Sequence, residues 1–230
     1  MIQVIPSEQR HLSDHGWLQT RLHFSFADYH DPSNVEWGPL RVFNDDTVQP
    51  GRGFDFHPHR DMEIISVVLE GAIRHRDSQG NEGVLRPGEV QVMSAGRGIL
   101  HSEFNPSPDE PLRLLQIWIR PRTRGLDPRY AQRLFEREAG AWTPVVSDGS
   151  VPGTLPIDQD VTIQLAAPRL GERLTLPDGT GRRGYLFVIA GRVELAGRTL
   201  GAGDQARLAD EPAHGLTALE DADLIFLDLP

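Results

Sequence analysis

Short apolar runs, each stopped by a glycine or a proline, constrain this chain more than any other feature. "MEIISVVLEG" (Met62–Gly71) is rich in β-branched residues and ends at a glycine. "RPGEVQVMSAG" (Arg86–Gly96) opens on a Pro-Gly turn, and "LRLLQIWIRP" (Leu112–Pro121) is closed by proline. Runs of this length between turn residues read as strands rather than helices. "RLHFSFADY" (Arg21–Tyr29) sets Leu22, Phe24 and Phe26 against polar neighbours, the period-two pattern of a half-buried strand, and "LRVFND" (Leu40–Asp45) follows it. "AIRHRDSQGNEGVL" reads as a hairpin turning at Gly80-Asn81. The 23 Gly and 18 Pro among 230 residues, with 38% hydrophobic content, agree with many short strands and turns. One helix is expected, at "LDPRYAQRLFERE" (Leu126–Glu138), where Asp127 can cap, Pro128 suits the first helical position, and Tyr130, Ala131 and Leu134 share a face.

The strand pattern occurs twice. "YLFVIAGRVELAGRTLGAGDQARL" (Tyr185–Leu208) mirrors "ISVVLEGAIRHRDSQGNEGVLRPGEVQVM": an apolar strand, a glycine, a polar hairpin, then Gly-x-Gly-Asp opposite Pro-Gly-Glu. A repeat at a domain-sized interval points to duplication into two similar β-domains. The Gly/Ser/Pro-rich stretch "AGAWTPVVSDGSVPG" marks the boundary, so domains are expected at 1–138 and 139–230.

Two absences narrow the chemistry. The chain has no Cys, which excludes disulfides, thiolate catalysis and iron–sulfur clusters. It has no Lys either: all 23 basic residues are Arg, so Schiff-base chemistry on a lysine is excluded. The net charge of −10 argues against direct binding to a phosphate backbone. "MIQVIPSEQRHL" has no basic segment followed by an apolar one, and no apolar run approaches the ~18 residues of a membrane span. A soluble cytoplasmic protein without membrane contact is expected.

The polar residues that remain are informative in pairs. In "HPH", His57 and His59 lie two apart, so in a strand both face one point while Pro58 faces away. Downstream, "GRGILHSEFN" places His101 and Glu103 two apart in the same way. Three imidazoles and a carboxylate on two antiparallel strands can converge on one divalent ion and leave coordination positions open, as catalytic sites require. Glu63 is the competing carboxylate, ranked second because the turn-like Arg60-Asp61 interrupts its parity with His59. His75, His11, His15 and His30 read as solvated, His23 as a strand surface residue, and His214, alone in the second half, as structural. Asn105, Gln116 and Arg60 are possible partners that orient the imidazoles.

The spacing Gly51-x5-His57-x-His59-x3-Glu63 and the later Gly88, Gly96 and His101-x3-Asn105 resemble the two cupin motifs. The runs "FSFADYHDP", "LRVFNDD", "GFDFHPHRDMEIISVVLEG", "HRDSQGN", "PGEVQVMSAGRGILHSEFN" and "LQIWI" are similar, almost continuously from Leu22 to Arg120, to the N-terminal domain of the pirin family. The resemblance implies an all-β bicupin of two stacked antiparallel β-barrels. The metal site would lie in the N-terminal one, and the C-terminal cupin would be degenerate and lack a metal site. It implies His57, His59, His101 and Glu103 as ligands, with iron(II) as first choice and Cu, Ni, Mn, Co or Zn also admitted by the ligand types. Several members of the family resemble quercetin 2,3-dioxygenases, which open the flavonol heterocycle with O2. On that basis a small aromatic substrate and O2 are the expected partners, and Glu103 is the residue that accepts the substrate proton. The resemblance also implies an alternative: a metal-dependent redox sensor or co-regulator that binds a partner protein.

Overall fold

The computed structural model describes residues 1–230 and is built almost wholly of antiparallel strands. It divides into two compact units. One comprises His11–Phe135 with Leu155–Gln159; the other comprises Met1–Arg10, Glu136–Thr154 and Asp160–Pro230. The first ten residues therefore belong with the C-terminal half. The reason is a strand: Ile2–Ile5 pairs with Gln205–Glu211, Ile2 opposite Leu208 and Ile5 opposite Gln205. No helix is long and apolar enough to cross a membrane.

The unit that contains the histidine pairs has two sheets. The larger runs in the order Arg129–Leu134, Glu89–Ser94, Glu63–Glu70, Leu112–Ile119, Leu40–Val48, Leu18–Leu22, His11–Asp14. The smaller runs Gly53–His59, Ile99–Phe104, Ile73–Asp77, Glu82–Leu85. Alternation directs one face of each sheet inward. Leu18, Val48, Val68, Leu112 and Leu114 from the larger sheet pack on Ile73 and Leu85 from the smaller, closing one end of the sandwich. The arrangement is jelly-roll-like, with two facing open sheets in place of closed barrels.

The C-terminal unit repeats the small sheet strand for strand: Arg173–Thr175, Gly215–Ala218, Arg192–Leu195, Arg198–Gly201. The glycine that ends the first apolar strand recurs as well. Gly71 (φ 73°) and Gly191 (φ 76°) both adopt left-handed backbone, and an added Cβ would lie 2.5 Å from the Pro111 carbonyl oxygen or 2.1 Å from that of Asp221. Only glycine fits where φ is positive and a second strand crosses this closely. The interiors differ. In the C-terminal unit Leu174, Val193, Leu195, Leu200 and Leu216 of the small sheet form one apolar cluster with Leu186, Val188, Leu224 and Phe226.

Two expected elements are different in the structure. Leu126–Glu138 is not helical: Arg129–Leu134 is an edge strand, in register with Glu89–Ser94 from Arg129 opposite Ser94 to Leu134 opposite Glu89. Pairing satisfies the open edge of that strand and stacks Tyr130 on the buried His75 ring at 4.4 Å and 17°, and this tertiary gain overrides a helix-favouring composition. The strand expected over Arg21–Tyr29 ends at Leu22. Beyond it the chain folds back on itself, with Ala27 at φ 50° and the Ser25 hydroxyl donating to the Asp31 carbonyl at 2.7 Å. Both parities are buried there: His23 and Ser25 as well as Phe24.

Candidate metal centre

The smaller sheet presents the histidines. His57 stands opposite His101, and on the other side His101 stands opposite Asp77 and Glu103 opposite His75. The register shifts between His101 and Glu103: Glu103 pairs with Phe54, so Asp55 and Phe56 form an outward bulge on the Gly53–His59 strand. The bulge resets the parity, and Phe54, His57 and His59 all line one cavity although the first two are an odd number of positions apart, with two residues between them.

The cavity holds about 170 Å³ and is partly open to solvent. Phe26, Phe54, Ile64 and Trp118 make its apolar walls, and His57, His59, His101 and Glu103 its polar end. The ring centroids of His57 and His101 are 4.4 Å apart, and His59 is 4.8 Å from each. His57, His59 and His101 offer nitrogen atoms within 4.8 Å of one another, and Glu103 joins His101 in a second such group, with His75. Both groups lie in the histidine-containing unit. Leu174 and Leu216, on the corresponding strands of the C-terminal unit, are core residues.

The protonation of these rings follows from their surroundings. The Asp55 carbonyl lies 2.7 Å from His57 Nδ1 and can only accept, so Nδ1 carries a hydrogen and Nε2 is the nitrogen available to a ligand. Burial, reinforced by the neighbouring imidazoles His101 and His57, lowers the His59 pKa to about 3. Burial, with His57 and His75 adding to it, lowers that of His101 to about 3 as well. Both rings are neutral at pH 7. His59 Nε2 and both nitrogens of His101 are buried without a hydrogen-bond partner. Buried polar atoms are almost always paired, and each neutral ring keeps one nitrogen lone pair, so neighbouring imidazoles left without partners within 4.8 Å of one another are what a divalent cation would complete. The donor set fits such an ion.

Glu103 is held firmly. Gln91 Nε2 donates to its Oε1 at 2.9 Å and Gln116 Nε2 to its Oε2 at 2.8 Å, while the Ser66 hydroxyl donates to Gln116 Oε1 at 2.9 Å. Gln116 thus orients the carboxylate and not an imidazole. Asn105 braces backbone, donating to the Val48 and Glu110 carbonyls, and Arg60 is exposed beside Asp61. Glu63 is buried but turned elsewhere: its Oε2 accepts from the Ser94 hydroxyl, and it does not line the cavity.

His75 is not solvated as its hairpin position implied. It is fully buried, its Nε2 lies 3.3 Å from Asp77 Oδ2, and its ring is 5.4 Å from His101. The signal was available, since Ile73, His75 and Asp77 share the inward face of their strand. His23 is buried against Phe43, whereas His11, His15 and His30 are exposed; His214 is half-buried at 2.7 Å from Glu211. Sequence reasoning missed Asn44, Asp46 and Trp118, which also face the cavity.

The family model described as Pirin matches residues 6–119, and one described as Quercetinase C-terminal cupin domain matches residues 144–229. A "Pirin-like protein" of Caulobacter vibrioides is 45% identical over 99% of both chains. The chain belongs to the pirin family. Another relative of this pirin, the "Quercetin 2,3-dioxygenase" of Escherichia coli K12, is 40% identical over 100% of this chain and 99% of its own. The crystal structure of the bacterial pirin YhhW from Escherichia coli in complex with nickel(II) superposes with a TM-score of 0.95 at 40% identity, covering 100% of this chain and 99% of that one.

Proposed function

We propose that this pirin is a metal-dependent dioxygenase that cleaves quercetin or a related flavonol or enediol-like aromatic with O2, with His57, His59, His101 and Glu103 holding one divalent ion. The observation that carries the reading is a partly open, apolar-walled cavity ending on neutral imidazoles whose lone pairs have no partner. A sensor needs only a sealed site, whereas turnover needs an entrance and walls that hold a planar ring. Bound there, a divalent ion supplies Lewis acidity toward a substrate hydroxyl and open coordination positions. Iron(II) remains the first choice, and the nickel-bound relative shows that a related pirin accepts a different divalent ion.

The chain's own residues do the rest. Phe26, Phe54, Ile64 and Trp118 grip an aromatic face and keep water from the reacting edge. The cavity is smaller than the ~300–1,000 Å³ of sites that enclose a whole drug-sized ligand, so it takes the reacting edge of a flavonol with the hydroxyls close to that edge and leaves the rest of the molecule outside. Each Glu103 oxygen keeps a lone pair beyond its amide hydrogen bond, so the carboxylate can ligate through one oxygen and accept the substrate proton on the other. Gln91 and Gln116 fix the carboxylate's position.

Anaerobic loading with each divalent metal, followed by quercetin and O2, tests this. Release of carbon monoxide with loss of flavonol absorbance is expected; no turnover with any of the metals overturns the dioxygenase assignment. Turnover that survives in the His57→Ala, His101→Ala double variant overturns the ligand assignment.

A further inference from the structure

The cavity has polar atoms that the metal chemistry does not use. Asn44 and Asp46 lie two apart on Leu40–Val48 and therefore point to the same side of the sheet. Gln116, opposite Asn44, shares that face, and Trp118 follows Gln116 by two on Leu112–Ile119. All four line the cavity. Asn44 and Asp46 are both about nineteen-twentieths buried, at 5% and 4% exposure. Asn44 Oδ1, Asp46 Oδ1 and Trp118 Nε1 are buried and have no hydrogen-bond partner. Two are acceptors and one is a donor. No cationic side chain lines the cavity to neutralise Asp46. A polar group sequestered this way is costly unless a ligand satisfies it.

We propose that Asn44, Asp46 and Trp118 form a recognition wall for the hydroxyl groups of the substrate: Asn44 and Asp46 each accept an O–H, and Trp118 Nε1–H donates to a ligand oxygen. The ligand class is a planar aromatic carrying at least two hydroxyl donors in addition to the oxygens that meet the metal. An aromatic of the same shape without those hydroxyls leaves the acceptors unpaired, and sites built this way reject such analogues strongly. The inference rests on the flavonol reading of the site, but it concerns binding and not cleavage.

The test measures affinity on metal-loaded protein without O2, so no turnover is involved. Quercetin and 3-hydroxyflavone share the 3-hydroxy-4-keto edge that meets the metal and differ in their other hydroxyls, so their affinity ratio isolates hydroxyl recognition. The wild type is expected to favour quercetin by about tenfold or more. Asp46→Leu and Asn44→Leu should each bring the ratio toward one while 3-hydroxyflavone still binds, and Asp46→Asn, which keeps an acceptor oxygen, should retain most of it. A ratio unchanged in both Leu variants overturns the proposal, as does equal weakening of the two ligands. Should the Leu variants fail to fold, wild-type protein decides with quercetin methylated at every hydroxyl except the 3-hydroxyl: methylation keeps the oxygens and removes the O–H donors. Equal binding of the methylated and free forms overturns the proposal. Failure of the dioxygenase reading shows up separately, as bound quercetin that is never cleaved.

Discussion

Replacing Asp46 with asparagine should stabilise the metal-free protein, and only at neutral and alkaline pH. Burial raises the Asp46 carboxyl from its usual 3.8 to about 7, with Asp45 and Glu103 adding to the effect and the Thr20 hydroxyl opposing it. Between those two values the folded state holds a proton that the unfolded chain has released. Stability therefore falls as pH rises through that window, and above it the fold contains an ionised, buried charge. The gap corresponds to about 4 kcal/mol at ~1.36 kcal/mol per unit, an upper bound because water entering the partly open cavity relieves it. Asparagine has the same shape and no charge. The variant should match the wild type near about pH 4 and exceed it by about 2–4 kcal/mol at about pH 8, a rise of about 4–16 °C in the melting temperature. Differential scanning fluorimetry of chelator-treated protein across pH reads this directly. The comparison must be between variants, because His59 and His101, lowered from 6.5 to about 3, act in the opposite direction in both proteins: their contribution is lost as pH falls below 6.5. A difference in melting temperature that is the same at acid and alkaline pH, or a variant less stable than wild type at about pH 8, refutes the reasoning.

Three further outcomes follow from the geometry. Glu103→Gln should fold, since its amide oxygen can accept from Gln116 while a flipped Gln91 turns its unpartnered Oε1 to the new NH2, but lose about 10–100-fold in metal affinity, measured by competition with a chelating dye. Gly96→Ala should destabilise by about 2–3 kcal/mol or more in urea titrations, because φ is +49° and the new Cβ would lie 2.1 Å from the Leu126 carbonyl oxygen. Divalent metal at a hundredfold excess over Kd should raise the unfolding free energy of the wild type by about 2.7 kcal/mol and leave that of the His57→Ala, His101→Ala variant unchanged, as calorimetry can show.

The sheets were legible where short apolar runs are stopped by a glycine or a proline. Glu63–Glu70, Glu89–Ser94 and Leu112–Ile119 fall inside the runs that the sequence marks as strands, and the Gly80-Asn81 turn does join Ile73–Asp77 to Glu82–Leu85. Arg129–Leu134 was not legible, since its residues favour a helix and only the edge of Glu89–Ser94 makes it a strand. Same-strand spacing brought out His57 with His59 and His101 with Glu103, because a two-residue interval is a local property. The cavity wall was harder to see. Asn44 and Asp46 continue the inward face of Leu40 and Val42, yet nothing short of the paired strands shows that this face stops being apolar core and becomes a lining. His75 was misread although its alternation with Ile73 and Asp77 marks an inward face; its partner Tyr130 arrives from a segment that the sequence makes look helical.

The bulge at Asp55-Phe56 has a consequence for how this sequence can vary in length. His57 takes its orientation from the backbone carbonyl of Asp55, two residues before it on the same strand, and not from another side chain. Substitutions at Asp55 or Phe56, whose side chains are exposed, leave that carbonyl in place. Deleting either residue leaves Phe54 two before His57, a spacing that regular alternation still puts on one face, but it removes the bulge whose Asp55 carbonyl fixes His57 Nδ1. The loop-like exposure of these two positions is misleading: they tolerate replacement, but losing one of them displaces the backbone carbonyl that sets how His57 presents its ring to the cavity.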